Sequence, residues 1–303
     1  MKAARSRMSY AIPLIAVCLL PLLTPYSTFG QFPTLEPKFV AYSASGSDAT
    51  AIAPVVDAFR NVLGTNNGNA SGSQPSGRRE INWDGGGDGA NFALFPTPMK
   101  TFNTAPTTRG AVFATVSGFE ISGQPMPRFG EINSTYPGIF TTFSPPRLFT
   151  PLGSTITDVH FYVPGETTPA VVNAFGAVFT DVDLPQSTSI EYFDAAGSSL
   201  GRAFVPPANN GLSFVGFVFQ DKRIGRVRIT SGNASLGATT TDGGLVDVVA
   251  MDDFIYSEPS VPTTPPPPNP FNPPAIQPPP NPFNPPTTQP QPGDNPCFGC
   301  WDY

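Results

Sequence analysis

Residues 171–256 carry the clearest pattern in the chain. The segments VVNAFGAVFTDVD (171–183), SIEYFDAAGSSLGRAFV (189–205), LSFVGFVF (212–219), IGRVRIT (224–230) and VDVVAMDDFIY (246–256) are short, rich in β-branched and aromatic residues, and separated by Gly, Pro, Asn, Asp and Ser. Such runs predict antiparallel strands joined by turns. In ITDVHFYV (156–163), Val159, Phe161 and Val163 share one face and Asp158, His160 and Tyr162 the other, so His160 is expected on the wetter side. LSFVGFVF is apolar on both faces, Leu212, Phe214 and Val218 against Val215, Phe217 and Phe219, which predicts a central strand covered from both sides. IGRVRIT alternates, with one face in water, and residues 194–198 read as a hairpin loop in which Gly197 supplies positive φ.

Before this region the period changes. Ser47 and Asp48 precede ATAIAPVVDAFRNVL (49–63), with Ile52, Val55, Val56, Phe59, Val62 and Leu63 on one side and Gly64 behind it. A cap, a 3.6-residue stripe and a terminating glycine predict one amphipathic helix over about 49–63. Pro54 removes a helical hydrogen bond, which places the regular part nearer Ala53. The Asn/Gly/Ser-rich residues 65–77 are expected to form a mobile loop. Residues 78–84 read as a short strand running into the glycine loop 85–89, residues 108–115, 118–122 and 148–149 as further strands, and 123–146 as irregular loop. The expected fold is all-β: an antiparallel, jelly-roll-type sandwich with one short helix near its start.

Composition agrees with that class. Of 303 residues, 29 are Gly and 39 Pro, which favours turns and extended segments over helices. Sixteen basic residues stand against 22 acidic, a net charge of −6, and no Lys/Arg cluster occurs after the first few residues. The electrostatic footprint of a nucleic-acid binder is missing. The two ends differ from the middle. Lys2, Arg5 and Arg7 precede an apolar run over 11–23, the layout of a secretory signal peptide, so residues 1–30 are read as a leader and no transmembrane span is expected in the mature chain. Residues 259–303 are proline-dominated and repeat Asn-Pro-Phe-Asn-Pro-Pro at 269–274 and 281–286, which predicts a disordered, extended spacer. The domain between them is read as 31–258.

Several residues invite chemistry. Asp181 and Asp183 continue the row of Phe175, Ala177 and Phe179, and an apolar row turning acidic marks either a strand emerging into solvent or a cation site. Asp252 and Asp253 are expected in opposite rows of the closing strand, so at least one faces apolar surroundings and needs a partner. Ca²⁺ would serve, being a hard cation satisfied by oxygen ligands; Arg226, Arg228 or backbone amides would serve equally, and pairing is the simpler expectation. Trp83, between Asn82 and Asp84 and upstream of Asp88, combines an aromatic face with short polar groups, as a sugar site does; the alternative is a core tryptophan closing one end of the sandwich. Cys297 and Cys300 form a C-x-x-C pair that reads as a disulfide in an exported chain, zinc lacking further ligands. The single histidine, His160, beside Asp158 offers only a minimal hydrolytic couple.

GRREINWDG (77–85), RFGEINSTYPGIFTTFSPPRLFTPLGS (128–154), ITDVHFYVPG (156–165), FGAVFTDVDLP (175–185), IEYFDAAGSSLG (190–201), RVRITSGNASLG (226–237) and DVVAMDDFIYSEP (247–259) resemble a family of exported, largely uncharacterised bacterial β-sandwich proteins. The resemblance covers 76–258, about three-fifths of the chain. It implies a secreted or surface domain of jelly-roll type, similar to carbohydrate-binding sandwiches, and no established activity. The resulting functional expectation is a non-catalytic binding or adhesive module, glycan-binding and calcium-stabilised, at the cell surface or beyond it, its partner an extracellular glycan or envelope component. A structural envelope or matrix protein is the alternative, and a hydrolase ranks last.

Overall fold

The computed structural model describes residues 39–221 and 223–262. The leader read at 1–30, the proline-rich repeats and the Cys297/Cys300 pair lie outside the described residues. In chain order the elements are β1 (Phe39–Gly46), α1 (Ala49–Leu63), β2 (Arg78–Ile81), β3 (Ala93–Phe95), β4 (Asn103–Thr104), β5 (Thr107–Thr108), β6 (Ala111–Ala114), β7 (Phe119–Ile121) and β8 (Phe149–Pro151). They continue with β9 (Ile156–Phe161), β10 (Ala174–Val182), β11 (Ser189–Asp194), β12 (Ser199–Phe204), β13 (Ala208–Phe219), β14 (Ile224–Thr230) and β15 (Ala250–Ser257).

Two antiparallel sheets pack together. The larger runs β1-β13-β10-β15-β8-β7-β3, and the smaller β12-β11-β14-β9-β6. The far edge of β15 is shared: β2 pairs with residues 254–257 and β8 with Met251. From β9 onward the chain passes repeatedly between the sheets, so neither can form without the other. Their facing sides bury one apolar cluster that includes Phe113, Phe149, Phe175, Phe217, Val227 and Phe254.

The large sheet is covered on its outer side as well. Asp48 caps α1 by accepting a hydrogen bond from the Ala51 amide at 3.1 Å, and Ile52, Val56, Phe59 and Leu63 pack on Val178, Leu212, Phe214 and Ile255. β13 therefore has one face on the helix and one on the opposite sheet, as its two-sided apolar pattern predicts. Gly216 is required by that contact, because a Cβ there would lie 2.9 Å from the Phe59 ring. The rest of the outer face is roofed by Phe129, Tyr136, Phe140 and Leu236 from loops, against Leu148, Val248 and Ala250.

Four features depart from what the local pattern suggests. Residues 39–46 form an edge strand paired with β13, although small and polar residues there conceal it. The helix starts at Ala49 with Pro54 inside it, the Asp48 cap compensating for the bond that proline cannot make. Residues 65–77 are anchored by a buried arginine. Arg79, fully buried, donates to the carbonyls of Gly68 (2.9 Å), Ala70 (2.7 Å) and Gly72 (3.2 Å) and pairs with Glu258 through two contacts of 2.6 Å. Its inward direction follows from β2, where Arg79 alternates in step with Ile81. The fourth change concerns register. Ala177 pairs with Phe254 but Phe179 with Met251, so Asp252 and Asp253 together oppose a single residue. Such a bulge turns both side chains to the same face, here the outer one, with Met251 and Phe254 both in the core between the sheets. β10 is also irregular at Asp181, whose φ is +64°; Phe179 and Val182 are both in that core, so Asp181 leaves the apolar row to which alternation assigned it.

Candidate functional site

Of the eight described residues that the sequence marks out as ligand or metal candidates, six fall in two places. Asn82, Asp84, Asp252 and Asp253 meet where β15 passes from β2 to β8, around Ser144 from the loop that roofs the sheet. The Ser144 hydroxyl lies 2.8 Å from Asp84 Oδ2, 3.2 Å from Asp252 Oδ1 and 2.7 Å from Asp253 Oδ1. One hydroxyl carries one proton and cannot serve three carboxylates. Asp252 is fully buried, and burial pushes its carboxyl well above the usual range, with the neighbouring charge of Asp253 adding to this. The other Asp252 oxygen accepts from the amides of Phe143 (2.7 Å) and Ser144 (3.3 Å). Asp253 is also raised by burial but pairs with Arg60 at 2.8 Å, and Arg60 in turn holds Glu80 at 3.0 Å.

These contacts correct the partner expected for the closing strand. Arg226 and Arg228 are not near it; both are bound to Asp158, at 2.7 Å each. Asp252 and Asp253 are not part of the Asp181/Asp183 cluster and are engaged by Arg60, the Ser144 hydroxyl and the amides of Phe143 and Ser144, which argues against calcium there. Beside them is a small polar cavity of about 270 Å³, lined by Arg60, Glu80, Asn82, Arg109 and Ser144 among others.

Trp83 is a core residue. It is 3% exposed, stacks on Phe149 with centroids 3.8 Å apart, and donates its indole N–H to the Asp252 carbonyl at 2.7 Å. Neither ring face is open to a sugar, so the stacking platform proposed on residues 82–88 is removed. Asp88 lies exposed in the glycine turn, and Asn82 is exposed at the small cavity.

The second place is the end of β10. Asp181 and Asp183 converge with Asp242, from the loop between β14 and β15, each offering one oxygen within 4.8 Å of the others. Asp181 is 1% exposed; one of its oxygens accepts from the Asn210 amide at 2.7 Å, and the other, Oδ2, is buried with no partner. Asp183 Oδ1 is likewise buried and unpartnered. Burial pushes Asp181 up to about 7, with the charges of Asp242, Asp183 and Asp247 contributing; Asp183 and Asp242 are raised by burial and by acidic neighbours. Among the described residues no ion pair reaches this cluster. Asp247 adjoins it but is spent on the amides of Asp183 and Leu184 (3.1 Å each) and on the Ser187 hydroxyl. The partly buried Asp181/Asp183/Asp242 cluster could therefore hold a metal ion.

Sequence pattern did not reveal Asp242, Ser144 or Arg60. Asp242 had one local signal, the Asp-Gly-Gly turn just before the closing strand; the other two are brought in by loop and helix packing. His160 and Asp158 do face outward together, but Asp158 is committed to two arginines, and burial lowers the His160 pKa. No helix among the described residues is long and apolar enough to cross a membrane. Comparison with protein-family models, with curated proteins and with solved structures finds no match for this chain. No family is thus identified for it, and the structure defines the class: mostly β, with packed antiparallel sheets and one helix.

Proposed function

We propose that this chain is a calcium-stabilised, non-catalytic β-sandwich module that works outside the cytoplasm, where it binds an extracellular glycan or envelope component. The observation that carries it is Asp181: an almost fully buried carboxylate with an unpartnered oxygen, beside two further carboxylates and, among the described residues, no ion pair to a basic side chain. An uncompensated charge in that position is costly, and a hard divalent cation relieves all three carboxylates at once. Calcium is favoured by the all-oxygen donor set, since it is a hard cation that takes several protein oxygens in flexible geometry. The leader-like first 30 residues support export, to a compartment where calcium is plentiful.

Isothermal titration with CaCl₂ of chain stripped by chelator tests this. One bound ion per chain is expected, with a melting temperature raised by about 5–10 °C at calcium a hundredfold above Kd, that excess stabilising by about 2.7 kcal/mol. Asp242→Asn abolishes both effects. Absence of calcium binding, or binding that Asp242→Asn leaves intact, removes the assignment.

A further inference from the structure

A second site lies on the outer face of the small sheet. β6 and β9 form its floor, where Val112 pairs with His160 and Ala114 with Asp158. One wall is the β4–β5 hairpin with Pro98 and Lys100, the other the turn at 164–168, and together they enclose about 1080 Å³. The walls are tied to each other: Asn103 donates to the Glu166 carbonyl at 2.6 Å and accepts from the Gly165 amide at 2.8 Å. The groove is thus preformed, and its volume is at the upper end of small-molecule pockets, enough for a ligand of several rings.

Its polar groups are unspent. The His160 ring, the Tyr162 hydroxyl and the Lys100 ammonium line the groove, and none makes a hydrogen bond within the described residues. Val112, Ala114 and Pro98 supply apolar surface between them. Local charge nearly cancels. Lys100 and Glu166 both line the groove, Glu166 accepting from the Thr168 hydroxyl at 3.0 Å, and Asp158, outward beside His160, is bound by both Arg226 and Arg228, which leaves a single positive charge over. An anionic ligand meets Glu166 and a cationic one meets Lys100, so a neutral polar ligand fits best. An added peptide strand is disfavoured, because the free edge of β6 is already bonded at Phe113 by Met99 through N–H···O contacts of 2.8 and 3.1 Å.

We propose that this groove binds a neutral oligosaccharide, its hydroxyls taken by His160, Tyr162 and Lys100 and its apolar ring faces laid on Val112, Ala114 and Pro98. Sugars present alternating C–H faces and hydroxyls that both donate and accept, which matches apolar floor and unspent polar groups in one cavity. The inference rests on the chain being a binding module; it does not depend on calcium.

The test is titration of the full chain with cellohexaose, xylohexaose, maltohexaose and chitohexaose, and with polygalacturonate as the acidic comparison. Saturable binding of at least one neutral hexaose is expected, unchanged by chelator. Tyr162→Ala and His160→Ala each weaken it about tenfold, the equivalent of one lost hydrogen bond, and Tyr162→Phe weakens it less than Tyr162→Ala. Because both side chains face outward, the variants keep the parent's melting temperature, which separates lost binding from lost folding. Binding by none of the neutral sugars, binding of polygalacturonate alone, or binding unaltered by both substitutions overturns the proposal. Calcium uptake measured on the same samples shows independently whether the cation site stands.

Discussion

Removing Arg79 tests what holds the long Asn/Gly/Ser-rich loop. Its guanidinium is fully buried and makes two contacts of 2.6 Å to Glu258, whose side chain is 1% exposed, while further donors serve the carbonyls of Gly68, Ala70, Gly72 and Thr108. In Arg79→Met, Glu258 loses both guanidinium contacts while the Asn67 side-chain amide at 2.8 Å and the Gln74 amide at 3.0 Å stay, and four carbonyls lose a donor. Breaking one side of a buried ion pair costs about 3–5 kcal/mol, because the remaining charge is left uncompensated. For a domain of this size that corresponds to a melting temperature lower by roughly 6–20 °C. Arg79→Met/Glu258→Met removes the stranded charge and recovers part of the loss, while residues 65–77, no longer anchored, become susceptible to limited proteolysis in both variants. Urea denaturation of the two variants and the parent gives the three free energies. A loss below about 1 kcal/mol for Arg79→Met, or a double variant no more stable than the single, refutes the assignment of Arg79 as the anchor.

Two other outcomes follow from the same structure. Trp83→Ala is expected to cost about 3–5 kcal/mol in chemical denaturation, the range for a buried aromatic, and to leave oligosaccharide affinity unchanged; a stable variant that loses sugar binding contradicts the core placement. For Asp181, pushed up to about 7 by burial, the folded state keeps a proton that the unfolded chain releases near the ordinary carboxylate value of 3.8. Calcium-free stability therefore falls as pH rises between those values and levels off above them. Asp181→Asn removes this part of the slope, and calcium stabilises increasingly from pH 5 to 7.5 as it displaces the proton; melting curves of both proteins with chelator and with calcium measure each effect.

Much of the architecture was legible in the chain. The helix over 49–63, the alternating faces of β9 and β14, the two-sided burial of β13 and the hairpin at 194–198 each follow from patterns within a dozen residues. β1 was not legible, because FVAYSASG carries few apolar residues and is a strand through pairing with β13. Arg79 had a readable signal, its place in the inward row with Ile81, that its charge concealed.

Local pattern was enough for the helix, for most strands from β9 onward and for the two-sided burial of β13, since side-chain alternation and the apolar stripe of a helix are local and periodic. Tertiary structure decided which carboxylates meet. Whether Asp181, Asp252 and Asp253 point inward or outward depends on irregularities in β10 and β15 that exist only against paired neighbours, and one residue of slippage reverses a side chain's face. It also decided their company: Asp242 joins Asp181 and Asp183 from a loop about 60 residues away, while Arg60 and Ser144, more than 100 residues before them, reach Asp252 and Asp253. A charge's partner is fixed by where the fold leaves it short of hydrogen bonds, and distance along the chain does not encode that.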